Sequence, residues 1–298
     1  MTTSLTSPIR WPAEALWEAL APSLPGFTVE VLPEIDSSNT ELMRRFRGSP
    51  GVAPRPEPLL LVAEQQTAGR GRLGRSWQSR RGDSLTFSLG LPLQPADWSG
   101  LSLVAGISVA ESLEPLIPGQ TSKPRIGLKW PNDLWLSTPE GERKLAGILV
   151  ETASWEGVRY VVIGIGINIR TVEIPAAALP SAAPAMPAIP PGALQALLPA
   201  LDAPATLLRI VPPLVQAVQA FERFGFAPFQ PRFVARDVLA GRTVQLYDGQ
   251  NDLEGTAHGV GENGALLVHT PAGMKQITSS EVSVRPVAAP SEKGTRPC

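Results

Sequence analysis

Ala63-Glu64-Gln65-Gln66-Thr67-Ala68-Gly69-Arg70-Gly71-Arg72-Leu73-Gly74-Arg75-Ser76-Trp77 interleaves three glycines, spaced two and three residues apart, with three arginines. Glycine admits φ > 0 and lets the backbone come close to a ligand. Arginine adds a planar, permanently charged fork that matches carboxylate or phosphate oxygens. The segment is therefore suited to wrapping an anion. Leu59-Leu60-Leu61-Val62-Ala63, just before and overlapping it, is an unbroken apolar run and reads as a buried strand. The loop thus leaves the end of a sheet strand, where α/β folds usually place ligands.

Two familiar glycine loops differ from this one. A Walker loop ends in Gly-Lys-Ser/Thr and opens a helix, and neither feature is present. Gly69-Arg70-Gly71-Arg72-Leu73-Gly74 has the spacing of a dinucleotide fingerprint, but arginines flank its second glycine, where backbone should meet pyrophosphate. Spacing alone leaves open a phosphate cradle, a solvated Arg/Gly loop or an RNA-contacting patch.

Four other stretches carry chemistry. Ser37-Ser38-Asn39-Thr40-Glu41 starts a helix, with Ser38 and Glu41 in capping-box register; Leu42, Met43 and Phe46 face the core, and Arg44, Arg45 and Arg47 face water. Ile126 to Trp130 is a strand running into the turn Pro131-Asn132-Asp133, so that Lys129 and Asp133 read as an ion pair. Lys144 to Glu151 is a strand whose alternation puts Lys144 on the face of Ala146 and Ile148. Val158 to Ile169 is a strand with Ile163, Ile165, Ile167 and Ile169 on one side and Gly164, Gly166 and Asn168 on the other. Glycine weakens a strand, so two on one face indicate that a ligand approaches the backbone there.

Taken in order, Ile35-Asp36-Ser37-Ser38-Asn39, the Gly/Arg loop to Trp77, Lys129-Trp130-Pro131-Asn132-Asp133, Lys144 to Glu151 and Gly164-Ile165-Gly166-Ile167-Asn168 resemble the biotin protein ligases, of the monofunctional type without an N-terminal DNA-binding domain. The resemblance implies an α+β fold: a mixed, largely antiparallel sheet flanked by helices, like the class II aminoacyl-tRNA synthetases, followed by a small SH3-like β-barrel. It implies ATP-dependent conversion of biotin to biotinyl-5'-AMP, then transfer to a lysine of a biotin carboxyl carrier protein. Catalytic roles fall on Arg70, Arg72, Lys144 and Asp133. Biotin contacts fall on Ser37, Ser38, Asn39, Gln66, Arg70, Gly71, Arg72, Lys144, Gly147, Gly164 and Gly166. ATP contacts fall on Arg72, Arg75, Trp77, Lys129, Asn132 and Asn168, and Asp133 meets a magnesium ion. Where the family commonly has Thr, Ser38 keeps the hydroxyl. Lipoate or octanoate ligation is the alternative within the fold, and a non-enzymatic nucleic-acid-binding module is the alternative outside it.

The rest of the chain sets bounds. Its 298 residues allow one large domain and a small one, and a net charge of −1 supplies no general attraction to nucleic acid or anionic membrane. Cys298 is the only cysteine, which fits a reducing, cytoplasmic setting. No apolar run approaches the roughly 20 residues of a membrane span. About thirty residues before Ile35 hold one helix, 13–20, with Leu16, Trp17 and Leu20 on one side. That is too little for a winged helix-turn-helix, so specific DNA binding is not expected. Ser84 to Leu91 alternates as a half-buried strand, and Leu101 to Leu116 is an apolar helix packed on the sheet. The expected organisation is an extension (1–30), a catalytic domain (31–232) with an Ala/Pro-rich surface insertion near 175–204, a barrel (233–288) and a disordered tail (289–298). A helix from Thr206 to Arg223 starts uncertainly around Pro212-Pro213. The arrangement is compatible with a homodimer.

Overall fold

The computed structural model describes residues 8–48, 56–117, 119, 122–171, 189–247, 252–278 and 283–286. Helix α1 (Ala13–Leu20) and strand β1 (Thr28–Leu32) lead to α2 (Ser38–Arg47), β2 (Leu59–Ala63) and β3 (Ser84–Pro92). Then follow α3 (Leu101–Leu113), β4 (Ile126–Lys129), β5 (Asp133–Thr138), β6 (Gly141–Trp155), β7 (Val158–Asn168), α4 (Ala203–Phe224) and α5 (Gln230–Val234). Seven strands form one sheet in the order β1-β2-β3-β7-β6-β5-β4. Only β1 and β2 pair in parallel; every other neighbouring pair is antiparallel. This is the mixed, helix-flanked sheet that the resemblance implied.

Strand alternation sorts the two faces. Leu85, Phe87 and Leu89 of β3 and Ile163, Ile165 and Ile167 of β7 pack with α1, α3 and α4 in the main core. The opposite face of β3 is buried too, contrary to the half-buried reading. There α2 lays Leu42, Met43 and Phe46 over the sheet in a second cluster, and a Cβ on Gly90 would come within 2.6 Å of the Phe46 ring. Beyond α2, the same face is left to the Gly/Arg loop. That uncovered half holds the site.

Several local expectations change. The N-cap of α2 is Ser37, whose side chain accepts from the Thr40 N–H at 3.4 Å, while Glu41 pairs with Arg44 and Arg45 instead of turning back. Trp17 is exposed, with Leu16 and Leu20 alone buried on α1. α3 ends at Leu113. α4 starts at Ala203 and runs through Pro212 and Pro213: Asp202 caps it, accepting from Ala205 N at 2.8 Å. Proline removes an intrahelical bond, but Leu207, Ile210, Val211, Leu214 and Val215 are fully buried around it, and that packing maintains the helix.

Strands β8 (Thr243–Tyr247), β9 (Asp252–Val260), β10 (Leu266–Thr270), β11 (Gly273–Ile277) and β12 (Ser283–Pro286) make a second, antiparallel sheet in the order β11-β10-β9-β8-β12. No pairing joins β11 to β12 among the described residues, and the small antiparallel sheet is consistent with the SH3-like unit that the resemblance implied. It is fastened to the large one. Residues 236–238 run beside β4, with Leu128 N donating to Arg236 O at 2.7 Å and Val238 N to Leu128 O at 3.1 Å. Gly127 permits that approach, because a Cβ there would lie 2.2 Å from Val238. Trp130 Nε1 also donates to Gly264 O at 3.0 Å. No described helix is long and apolar enough to cross a membrane. The turn at Asp248-Gly249, residues 172–188 of the Ala/Pro-rich insertion and the tail lie outside the described residues.

Candidate active site

The site lies along a register of the large sheet. Asp133 pairs with Gly147, Gly147 with Gly166, Gly166 with Thr86 and Thr86 with Ala63, the residue from which the Gly/Arg loop departs. One step along, Leu149, Gly164 and Ser88 stand abreast. Over this floor the loop folds as a narrow hairpin: Trp77 N donates to Gly69 O at 2.8 Å and Gly71 N to Arg75 O at 2.7 Å. Its tip, Leu73-Gly74, has φ of 55° and 70°. Only glycine fits at 69, since a Cβ would meet Trp77 O at 2.3 Å. The loop glycines are therefore needed first to close the hairpin on itself.

Beneath the hairpin lies a cavity of about 120 Å³. One end is cationic. Lys129, Lys144, Arg72 and Arg75 line it together with Asp133, the one carboxylate among its described lining residues. Lys144 Nζ is 2.8 Å from Asp133 Oδ1, an ion pair at the floor of the cavity. Lys129 is almost wholly buried, and desolvation, reinforced by Lys144, Arg75 and Arg72, pushes its pKa down to about 8 against the opposing pull of Asp133. Desolvation likewise lowers the pKa of Arg72, whose Nη1 donates to Asn132 Oδ1 at 3.4 Å. Four cations around one carboxylate favour an incoming anion.

The other end is neutral and closely hydrogen-bonded. Ser38 N and Oγ both donate to Gln66 Oε1, at 2.7 and 3.1 Å. Ser88 Oγ, fully buried, lies 2.7 Å from Ser38 Oγ and 2.6 Å from Asn39 Oδ1, with one proton to give. Asn39 Nδ2 donates to Leu149 O at 3.2 Å and to Glu151 Oε2 at 2.9 Å. Hydroxyls and carboxamides at fixed positions offer both donors and acceptors to a neutral polar ring.

Nearly all the residues singled out from sequence line this cavity; Asn168 does not. Its Nδ2 instead donates to Lys144 O at 3.1 Å, which steadies the strand carrying the lysine. Lys144 shares a face with Gly147 and not with Ala146 and Ile148: a bulge against β5 lets Leu145 take the extra position, and Nζ lies 3.5 Å from where a Gly147 Cβ would be. Gly164 and Gly166 admit side chains of the protein itself. A Cβ on Gly164 would lie 2.0 Å from Asn39 Oδ1, and one on Gly166 would lie 2.3 Å from the Trp77 indole. Arg70 reaches sideways to Glu151, Nη2 to Oε1 at 3.0 Å, and is half exposed.

Sequence reading passed over Thr86, Ser88 and Glu151, and it assigned residues 190–192 to the surface insertion. That segment is no loose surface: Lys144 N donates to Pro190 O, and Gly192 N to Lys144 O, both at 2.8 Å. Thr86 and Ser88 did leave a signal, as hydroxyls alternating with Leu85, Phe87 and Leu89 on the strand that follows the Gly/Arg loop. Val284 of β12 completes the lining from the small sheet.

Residues 33–168 match the biotin/lipoate A/B protein ligase family, and residues 240–285 match the biotin protein ligase C-terminal domain. The chain is 34% identical to the bifunctional ligase/repressor BirA of Escherichia coli (strain K12) over 265 residues, covering 88% of this chain and 75% of that protein. It is 32% identical to the biotin--[acetyl-CoA-carboxylase] ligase of Paracoccus denitrificans, covering 85% of this chain and 98% of that one. The biotin protein ligase of Aquifex aeolicus, solved in complex with biotin and ATP, superposes with a TM-score of 0.66 at 30% identity, over 87% of this chain and 99% of that one.

Proposed function

This chain belongs to the biotin/lipoate A/B protein ligase family, and from that premise we propose that it is a biotin protein ligase. It joins biotin to the α-phosphate of ATP, releasing pyrophosphate, and passes the biotinyl group from the adenylate to a lysine of a biotin carboxyl carrier protein. The observation that carries this reading is the division of one cavity into a cluster of four cations and a neutral hydroxyl and amide cluster. The first suits a carboxylate meeting phosphates, and the second suits a cyclic urea.

The carboxylate of biotin and the α-phosphate repel each other, and the barrier falls when fixed positive charge faces both. Lys144 meets the carboxylate from the floor, Arg72 from the hairpin, and Lys129 and Arg75 face the phosphates. Ser37, Ser38 and Gln66 orient the ring, while Asn39, Gly164 and Gly147 keep its bed in shape. Trp77 and Asn132 border the nucleotide end. Ligand sites commonly hold about 300 to 1,000 Å³, so 120 Å³ requires the hairpin and the Trp77 indole to move aside as substrates enter. Closing again over the adenylate keeps water from hydrolysing the mixed anhydride.

Magnesium fits only as an ion that arrives with the nucleotide. Asp133 offers one carboxylate, ion-paired to Lys144, and no second carboxylate lines the cavity among the described residues. Asp133 would hold it, and the ion would neutralise phosphate charge there. The single cysteine supports a cytoplasmic setting.

Purified protein given biotin, ATP and a biotin carboxyl carrier domain should release pyrophosphate only when biotin is present and label one acceptor lysine. Excess lipoate should compete poorly. If no biotinyl-AMP forms at millimolar biotin and ATP, the assignment is wrong; efficient use of lipoate would move the chain to the other branch of the family.

A further inference from the structure

Glu151 is the residue in which the two halves of the site meet. It stands on β6 opposite Val162, beyond the edge of the cavity, and no role follows for it from the chemistry above. Its Oε2 accepts from Asn39 Nδ2 at 2.9 Å. Its Oε1 accepts from Arg70 Nη2 at 3.0 Å, and a longer contact from Arg70 Nη1 to Oε2, at 3.4 Å, completes a forked pair. One carboxylate therefore ties the hairpin, through Arg70, to the amide that orients the neutral cluster.

The tie is part of a closed circuit. From Arg70 it passes through Glu151, Asn39, Ser88 and Ser38 to Gln66, which lies at the start of the same loop. Opening the hairpin breaks the circuit at Arg70 and leaves Asn39 with one fewer fixed neighbour. Forked guanidinium–carboxylate pairs add geometric specificity as well as attraction. Arg70 is 48% exposed and Glu151 23%, so the attraction itself is modest. A contact of this strength holds a lid and still lets it open.

We infer that Glu151 is a positioning residue that latches the Gly/Arg hairpin through Arg70 and couples its closure to the orientation of Asn39. Only the kinetic arm of the following test rests on the ligase reading. Glu151→Gln keeps an acceptor for Asn39 and removes the charge facing Arg70, whereas Glu151→Ala removes both. Limited trypsin digestion, read as cleavage after Arg70, Arg72 and Arg75, should run about 5- to 10-fold faster in both variants than in the parent chain. The biotin KM in adenylate formation should rise about 10-fold in Glu151→Ala, by more than kcat falls, and no more than about 3-fold in Glu151→Gln. Parental cleavage rates in Glu151→Gln would overturn the latch, and a parental biotin KM in Glu151→Ala would overturn the coupling. Should Glu151→Ala not fold, Glu151→Gln decides the latch, and Asn39→Ala decides the coupling: because coupling is reciprocal, cleavage should run about 2- to 3-fold faster than in the parent chain, and a parental rate would overturn it. A parent chain that makes no biotinyl-AMP would fail the ligase reading, while the digestion arm would still test the latch.

Discussion

The two ends of the cavity are stabilised in opposite ways. At the neutral end, Ser38, Asn39, Ser88 and Gln66 are hydrogen-bonded to one another, and Asn39 also to Leu149 O and Glu151. At the cationic end, Lys129, Lys144, Arg72 and Arg75 line the cavity with one carboxylate among its described lining residues, and burial lowers the pKa of Lys129 and of Arg72. The first is a finished network that waits for a ligand of matching shape. The second is a surplus of charge that an anion relieves. Binding energy should therefore come mainly from shape at one end, and rate enhancement mainly from charge at the other.

The strongest challenge to that contrast is removal of a cation. Lys144→Ala or Arg72→Ala should slow biotinyl-AMP formation by about 10²- to 10³-fold, measured as pyrophosphate release in single turnovers. Parental rates in both variants would abolish the proposed division of labour. Next in size is Gly164→Ala, whose Cβ would meet Asn39 Oδ1 at 2.0 Å in a place with no slack. Overpacking of this kind costs about 1 to 3 kcal/mol, to be read from the urea midpoint, with a rise in biotin KM beside it. Smaller still, Ser88→Ala deletes the hydroxyl shared by Ser38 and Asn39 and should cost about 1 kcal/mol, or roughly 5-fold in biotin KM, with little change in the KM for ATP. An equal change in both constants would erase the boundary between the ends.

The smallest effect concerns protons. With its pKa near 8, Lys129 is about half neutral at pH 8, and a bound phosphate favours its charged form. Nucleotide binding at pH 8 should then take up as much as about half a proton, and almost none at pH 6.5, as shown by calorimetry in buffers of differing ionisation enthalpy. The sign for folding follows from the same shift. The unfolded lysine, with a value of 10.5, holds its proton longer than the folded one. The destabilisation from burying it is thus full below pH 8 and fades as pH rises from 8 to 10.5. Proton release on nucleotide binding would contradict the assignment of Lys129 to the phosphates.

Much of this was legible in the chain. Period-two alternation located β3 and β7 and the face each turns to the core, and the glycines of β7, read as room for a ligand, make room for side chains of the protein itself. What approaches was not legible: Asn39 lies more than a hundred residues before Gly164, and Trp77 nearly ninety before Gly166, so only tertiary contact brings them together. The start of α4 was obscured for a related reason, since local propensity argues against helix through Pro212 and Pro213 and long-range packing overrides it.

By itself the sequence determined the chemical inventory: which guanidinium, amine, hydroxyl and amide groups exist, in which local elements, and in what order along the chain. Tertiary structure alone decided their pairing. The bulge at Leu145 turns Lys144 toward Gly147, the register of β6 carries Glu151 to Arg70, and the hairpin lays Trp77 on Gly166. Alternation is set by each residue's own backbone and can be read locally. A bulge or a cross-strand neighbour depends on hydrogen bonds between segments far apart in sequence, whose energies exist only once the sheet has formed.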